Sequence, residues 1–264
     1  MSITNDIKRV HTTDPQWYQK IWTLSIQDMS WVEQTKKQVD FIIQVLDLQG
    51  SERLLDLACG FGRHTLEFAR RGYEVVGADI TPDYITEANR LAAAEGLHAE
   101  FLCTDLRDLD FQESFDVVLN LADGAIGYLE NDAENLKIFD LIAAALKPGG
   151  KHLMDVCNTA YAAKHFPRRN WIAGEKSLSL ADFEWDGEKS LMFYAGLTFK
   201  YGEPLVKPEA LYSNPTRLYS VQELKTIFQS RGMNVLQAFG DFDAQTPATD
   251  DTFQIQVISH KLPE

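Results

Sequence analysis

Two short segments of this chain carry the residue types that bind a nucleoside. In the first, an apolar stretch ends at Asp56 and a small-residue turn containing Gly60 and Gly62 follows. Glycines can take positive φ and let the backbone approach a ligand, and a helix behind such a turn offers free N–H groups. In the second, an apolar stretch ends at Asp79, where a carboxylate can accept both hydroxyls of a ribose. Together they predict a site for an adenosine-containing cofactor.

Two classes of cofactor compete for this turn. A dinucleotide site has a third small residue after the two glycines, which lets the helix pack closely on its strand. Thr65 occupies that place here and counts against a pyrophosphate-binding turn. No Gly-Lys-Ser/Thr sequence follows, so the pattern of a P-loop also fails. An NAD-dependent oxidoreductase is therefore the weaker alternative.

The same residues resemble class I S-adenosylmethionine (SAM)-dependent methyltransferases of the small-molecule methyltransferase-domain group. The family pattern D/E-x-G-x-G-x-G is matched by residues 56–62, with Ala58 in place of the first glycine. That departure is mild if φ of Ala58 is negative. The resemblance covers residues 35–157 well and 216–260 loosely. It implies SAM as the cofactor, with contacts from Asp56, Ala58, Gly60, Gly62, Asp79 (ribose), Ile80 (adenine), Asp105 and Leu106 (adenine amino group) and Asn120 (methionine part).

The elements around these residues alternate between strands and helices. Near-continuous apolar strands separated by helices predict a doubly wound, parallel α/β sheet. The resemblance implies a Rossmann-like sheet of seven strands, mostly parallel, with the last strand antiparallel. The chain divides into an N-terminal helical cover (1–49), a SAM-binding core (50–157), an aromatic-rich antiparallel insertion (158–219), and a C-terminal helix with closing strands (220–264).

The insertion holds 11 of the 29 aromatic residues of the chain. Aromatic walls exclude water and favour cationic or ring-containing ligands, so the insertion and the N-terminal Trp17, Tyr18, Trp22 and Trp31 are predicted to cover an acceptor site. The alternative is that these aromatic residues form the surface of a homodimer.

Composition narrows the partners. The chain has 264 residues, with Lys+Arg 25 against Asp+Glu 39, and a net charge of −14 that argues against nucleic acid. It has no apolar run long enough for a membrane span and no apolar leader. Three cysteines without metal-ligand spacing indicate reduced thiols, no metal site and a cytoplasmic protein.

The expected reaction is transfer of a methyl group to nitrogen or oxygen of an unidentified small molecule. Alignment and desolvation can supply most of the catalysis, so a general base is not obligatory. Tyr128 and His64 are weak candidates for catalytic residues, with the pair Asp241 and Asp243 behind them. A catalytically silent SAM-binding or regulatory protein is the alternative from another class.

Overall fold

The computed structural model describes residues 7–263. Its helices, apart from four 3-10 turns, are α1 (Thr35–Val45), α2 (Arg63–Arg70), α3 (Pro82–Glu95), α4 (Asp132–Ala145), α5 (Thr159–His165) and α6 (Val221–Gln229). Its strands are β1 (Lys8–His11), β2 (Arg53–Leu57), β3 (Glu74–Asp79), β4 (Ala99–Cys103), β5 (Phe115–Asn120), β6 (Leu146–Cys157), β7 (Arg168–Ala173), β8 (Ser177–Asp186), β9 (Leu191–Lys200), β10 (Ala210–Arg217), β11 (Met233–Gly240), β12 (Asp243–Pro247) and β13 (Gln254–Lys261).

The larger sheet has the order β12-β11-β13-β6-β5-β2-β3-β4. Pairing is parallel from β4 to β6, and β13 runs antiparallel to both of its neighbours. The doubly wound α/β fold is thus confirmed, but the predicted count of seven strands is wrong. The eighth is the edge strand β12, which pairs with β11. Its side chains are polar and partly exposed, so no apolar pattern marks it in the sequence.

Local sequence signals account for the helix ends. Pro82 opens α3 and Gly96 closes it in the left-handed conformation. Ser220 and Glu223 form the expected capping box at the start of α6. Apolar side chains of α4 and α6 pack on one face of the sheet, around Phe139 and Phe228. Those of α1 and α2 pack on the other face, around Phe68. These contacts hold the strand ends in fixed positions.

A second, five-stranded sheet has the order β1-β10-β9-β8-β7. Phe183 and Met192 lie on one of its faces and pack against Cys157 at the end of β6. This sheet therefore lies against the carboxyl-terminal edge of the larger sheet. The predicted antiparallel strands of the insertion are present, although its first seven-residue element is the helix α5.

The N-terminal region is less helical than predicted. Strand β1 joins the second sheet, and three 3-10 turns over residues 17–34 precede α1. We call residues 17–34 the cover segment. Its tertiary contacts, described below, replace the regular bonding of a long α-helix because its apolar residues do not keep one helical stripe. No helix within residues 7–263 is both long and apolar enough to cross a membrane.

Candidate functional site

The glycine turn joins β2 to α2 and is left-handed at three positions. The φ angles are +55° at Ala58, +59° at Gly60 and +79° at Gly62. The departure at Ala58 is mild only if its φ is negative, and this condition is not met, because the alanine holds a conformation that favours glycine. A Cβ atom on Gly60 would make only an ordinary van der Waals contact with Tyr84, at 3.9 Å, so this backbone is not crowded. A Cβ on Gly62 would lie 2.7 Å from Phe101, so that glycine is required by packing.

Asp79, at the end of β3, is fixed against this turn. Its Oδ2 accepts a hydrogen bond from the Gly60 N–H at 2.9 Å, and its Oδ1 accepts one from the Thr81 N–H at 2.8 Å. The carboxyl is buried, and desolvation raises its pKa. Each oxygen keeps an unused lone pair, because a carboxylate oxygen can accept two hydrogen bonds. The two oxygens can therefore still accept a pair of hydroxyl groups.

Asp56 lies beneath the turn and is fully buried. Its Oδ2 accepts a hydrogen bond from the Thr65 hydroxyl at 2.7 Å, and desolvation raises its pKa to about 6. Gly77 in β3 makes room for that threonine, since a Cβ there would lie 3.0 Å from Thr65 Oγ1. In a dinucleotide turn the third glycine leaves room for the helix to pack on its strand. Here Gly77, on the neighbouring strand, leaves the room that Thr65 needs.

Arg63 is a buried cation that the sequence analysis missed. Its Nη1 donates to Thr35 Oγ1 at 2.9 Å and to Gln38 Oε1 at 2.5 Å, and its guanidinium lies 4.9 Å from the centre of the Trp31 ring. Among the described residues its other nitrogens have no hydrogen-bond partner and no carboxylate lies within ion-pair distance. Burial lowers its pKa to about 10, and it stays charged. The position of an arginine directly after the glycine turn is the sequence feature that could have identified it as a site residue.

His64, a candidate catalytic residue, is buried away from the turn. Its Nε2 lies 2.9 Å from Gln38 Oε1 on α1. Burial, together with the charge of Arg63, holds its pKa well below the usual range, so the imidazole is neutral. This geometry gives His64 a packing role between α1 and α2.

The loop after β4 carries Asp105 and Leu106, and both are already engaged. Arg107 donates to Asp105 from its backbone N–H at 2.9 Å and from Nη2 at 2.6 Å. The hydrogen bonds from this guanidinium lower the pKa of Asp105, so the carboxylate is charged. The Leu106 side chain is buried in the core, and the half-buried Ile80 lies just beyond Asp79. Asp105 is therefore held as an ion pair beside the position that the resemblance gives to adenine.

The loop after β5 and the end of β6 bring two further carboxyl groups to the same sheet edge. Asn120 is buried and donates from Nδ2 to the Gly124 carbonyl at 3.0 Å. Asp155 in β6 accepts from the Ala122 N–H at 3.3 Å, and burial raises its pKa to about 7. Asp123 accepts from the Tyr128 hydroxyl at 3.3 Å, and burial raises its pKa to about 6.

Tyr128 is brought into the site, beneath the cover segment. The centres of the Trp17 and Tyr128 rings are 5.0 Å apart, and the Trp22 ring is stacked on Tyr128 at 6.2 Å. Burial raises the pKa of the Tyr128 phenol well above its usual value, so the hydroxyl is a donor and not a base. Asp241 and Asp243 lie exposed at the turn into β12, at the far edge of the sheet. They are outside the site.

Comparisons with known proteins agree with this arrangement. Residues 54–150 match the family described as a methyltransferase domain. A Geobacillus sp. (strain WCH70) protein named as a methyltransferase is 26% identical over 241 residues, covering 88% of this chain and 92% of that protein. A ubiquinone biosynthesis O-methyltransferase of Nitrobacter winogradskyi is 34% identical over 131 residues, covering 50% of this chain and 44% of that protein.

Among solved structures, a S-adenosylmethionine-dependent methyltransferase from Clostridium acetobutylicum has the same fold. Its TM-score is 0.70 at 19% identity, covering 87% of this chain and 92% of that one. The matched family domain contains the glycine turn, Asp79 and Asn120. The chain therefore contains a methyltransferase domain over residues 54–150 and has the fold of a SAM-dependent methyltransferase.

Proposed function

We propose that this methyltransferase transfers the methyl group of SAM to a nitrogen or oxygen atom of a small molecule. The observation that carries the proposal is the carboxylate of Asp79, which two backbone N–H groups hold at the rim of the glycine turn. Its unused lone pairs fit the two ribose hydroxyls, and the uncrowded backbone of Gly60, with its positive φ, suits a ligand passing close to it. These features of the chain's own residues suit an adenosine cofactor.

The remaining parts of SAM have candidate partners around the turn. Ile80 and the loop of Asp105 and Leu106 lie where the adenine is expected. Arg63 offers unused guanidinium N–H groups that suit the carboxylate of the methionine part, because arginine binds carboxylates with paired donors. The backbone after Asn120 is a second candidate partner for the methionine part of SAM. Bound SAM supplies an electrophilic methyl carbon on its sulfonium.

The cover segment contributes by excluding water. Tyr84 Oη donates to the carbonyl of Thr23 at 3.0 Å, which ties the cover segment to α3 near Gly60. Trp17 and Trp22 close the space over Tyr128. Exclusion of water and alignment of the acceptor can supply much of the rate of a methyl transfer. These contributions of the cover segment do not depend on a general base.

The test of the cofactor site is Asp79→Asn, with Glu74→Gln as the control at the exposed start of the same strand. Loss of the charged acceptor should weaken SAM binding by about 1.5–3 kcal/mol, or roughly 10- to 150-fold, in calorimetric titration. The control should bind as the wild type does. Unchanged affinity in a folded Asp79→Asn protein would rule out the ribose role.

Ligand binding and turnover distinguish the proposed function from its two alternatives, an NAD-dependent oxidoreductase and a silent SAM-binding protein. Binding of SAM and S-adenosylhomocysteine without binding of NAD is expected, and NAD binding alone would instead favour an oxidoreductase. Turnover to S-adenosylhomocysteine with an acceptor panel separates an enzyme from a silent SAM-binding protein.

A further inference from the structure

Resting on the proposed function, we propose that the methyl acceptor is an amine. Its protonated amino group binds beside the carboxylate of Asp123 and the rings of Tyr128, Trp17 and Trp22. Before transfer the ammonium gives one proton to a carboxylate oxygen of Asp123, and the freed nitrogen lone pair then forms the bond to the methyl carbon as the carbon–sulfur bond breaks and S-adenosylhomocysteine leaves. The site is thus an ammonium-binding subsite, assembled from the loop after β5 and the cover segment.

The backbone around Asp123 is held in an unusual conformation. Four consecutive residues are left-handed, with φ of +52° at Ala122, +68° at Asp123, +52° at Gly124 and +64° at Ala125. Such conformations are unfavourable for residues with a side chain and are typical of functional sites. Here they turn the Asp123 carboxyl back over the ends of β5 and β6, where its Oδ1 accepts the Cys157 N–H at 3.2 Å.

Asp123 is a partly buried carboxyl without a cationic partner. Within residues 7–263 no Lys, Arg or His nitrogen forms an ion pair with it. The titratable groups near it include Tyr128, Tyr194, Cys157 and Asp155, all of which are neutral or negative. Arg217 lines the same small cavity, but its guanidinium is paired with Asp132 and Glu223. Desolvation accordingly raises its pKa to about 6. A buried carboxylate is stabilised by a cationic partner, and an ammonium group would fill that role.

The rings packed on Tyr128, whose hydroxyl contacts Asp123, suit the same ligand. Trp17 and Trp22 lie 6.5 Å apart, at 5.0 Å and 6.2 Å from Tyr128. The faces of such rings attract a cation, and the indole ring does so most strongly. The Tyr128 hydroxyl, which donates to Asp123 Oδ2, can be displaced from that 3.3 Å bond by a charged donor. An alcohol acceptor would leave the carboxylate charge uncompensated.

A purely structural role for Asp123 makes a different prediction. Its bond from the Cys157 N–H requires one side-chain oxygen, which asparagine also provides. Asp123→Asn therefore keeps the backbone contact and removes the charge. The matched control is Asp110→Asn, the same change at an exposed aspartate whose partner is Gln112.

The experiment measures binding to the protein saturated with S-adenosylhomocysteine. The probes are benzylamine and cyclohexylamine, each with its alcohol, benzyl alcohol and cyclohexanol. Tryptophan fluorescence and calorimetry report binding, and the same four compounds are then tested with SAM for methylated product. We expect at least one amine to bind the wild type about tenfold or more tightly than its alcohol, and Asp123→Asn to abolish that preference. Asp110→Asn should retain it.

Three results would overturn the inference: no amine binding, equal binding of amine and alcohol by the wild type, or an amine preference that survives in Asp123→Asn. If that variant does not fold, the wild-type comparison of amine and alcohol still decides. Failure of S-adenosylhomocysteine to bind at all would instead refute the proposed function.

Discussion

Replacement of Arg63 by glutamine tests how the cofactor is held. Glutamine preserves polarity and can still donate toward Thr35 and Gln38, but it removes the positive charge. If the guanidinium binds the carboxylate of SAM, the variant should lose affinity for SAM and keep its affinity for decarboxylated SAM, which lacks that group.

The size of the loss follows from the burial of the charge. Arg63 is 9% exposed and two of its three nitrogens have no partner among the described residues. Hydrogen bonds to a charged group contribute about 1.5–3 kcal/mol, and an uncompensated buried charge costs about 3–5 kcal/mol. We therefore expect SAM binding to weaken by about 2–4 kcal/mol, or roughly 30- to 1,000-fold.

The assay is a double-mutant cycle in which one change is made in the protein and the other in the ligand. Dissociation constants are measured by calorimetry for the wild type and Arg63→Gln with SAM and with decarboxylated SAM. Arg70→Gln is the control, because Arg70 lies on the same helix and pairs with Glu95 at the surface. Its replacement should change SAM affinity little, since surface ion pairs contribute about 0–1 kcal/mol.

A coupling energy of about 2 kcal/mol or more between the arginine and the carboxylate is expected. If both ligands lose affinity equally in Arg63→Gln, the arginine acts on the structure of the turn and not on the carboxylate. The carboxylate assignment would then be wrong, although SAM binding itself would stand.

Two further predictions concern stability. Ala58→Gly should raise the free energy of unfolding by roughly 1 kcal/mol, since it relieves a φ of +55°. A lower free energy of unfolding for the variant, measured by urea denaturation, would contradict the strained turn. Asp155→Asn should change the pH dependence, because burial raises the pKa of Asp155 from 3.8 to about 7. The stability this gives the wild type is present below pH 4 and is lost as the pH rises through 7, so the variant should gain up to about 4 kcal/mol on the wild type over that range. If the free energies of unfolding of the wild type and the variant change with pH in parallel, the raised pKa of Asp155 is contradicted.

The parallel core and the glycine turn are predictable because their signals are local. Apolar strands, helix caps and the turn sequence lie within a few residues of one another, and each forces one backbone conformation. The approximate position of Asp79 follows from the end of its strand. Its two bonds to Gly60 and Thr81 could not be predicted, because they depend on the register between β2 and β3.

The partners of Arg63 and the setting of Asp123 are long-range features. Arg63 contacts Thr35 and Gln38, which precede it by 28 and 25 residues, and Asp123 contacts Cys157, 34 residues later. Burial of a charge depends on such contacts, so the sequence shows the arginine or aspartate without its environment. The sequence likewise shows His64 beside the turn but not Gln38 opposite it, which is why a packing residue resembles a catalytic one.

The cover segment and the cofactor loops are joined at separate points, and this coupling has a consequence for function. Trp31 lies against Arg63, Thr23 accepts from Tyr84, and Tyr18 contacts Arg107, the partner of Asp105. The same segment supplies the rings over Tyr128. Because one segment contacts both halves of the site, the cofactor and the acceptor are expected to bind with positive coupling. The first ligand to bind orders the cover segment, so the second loses less conformational entropy when it binds.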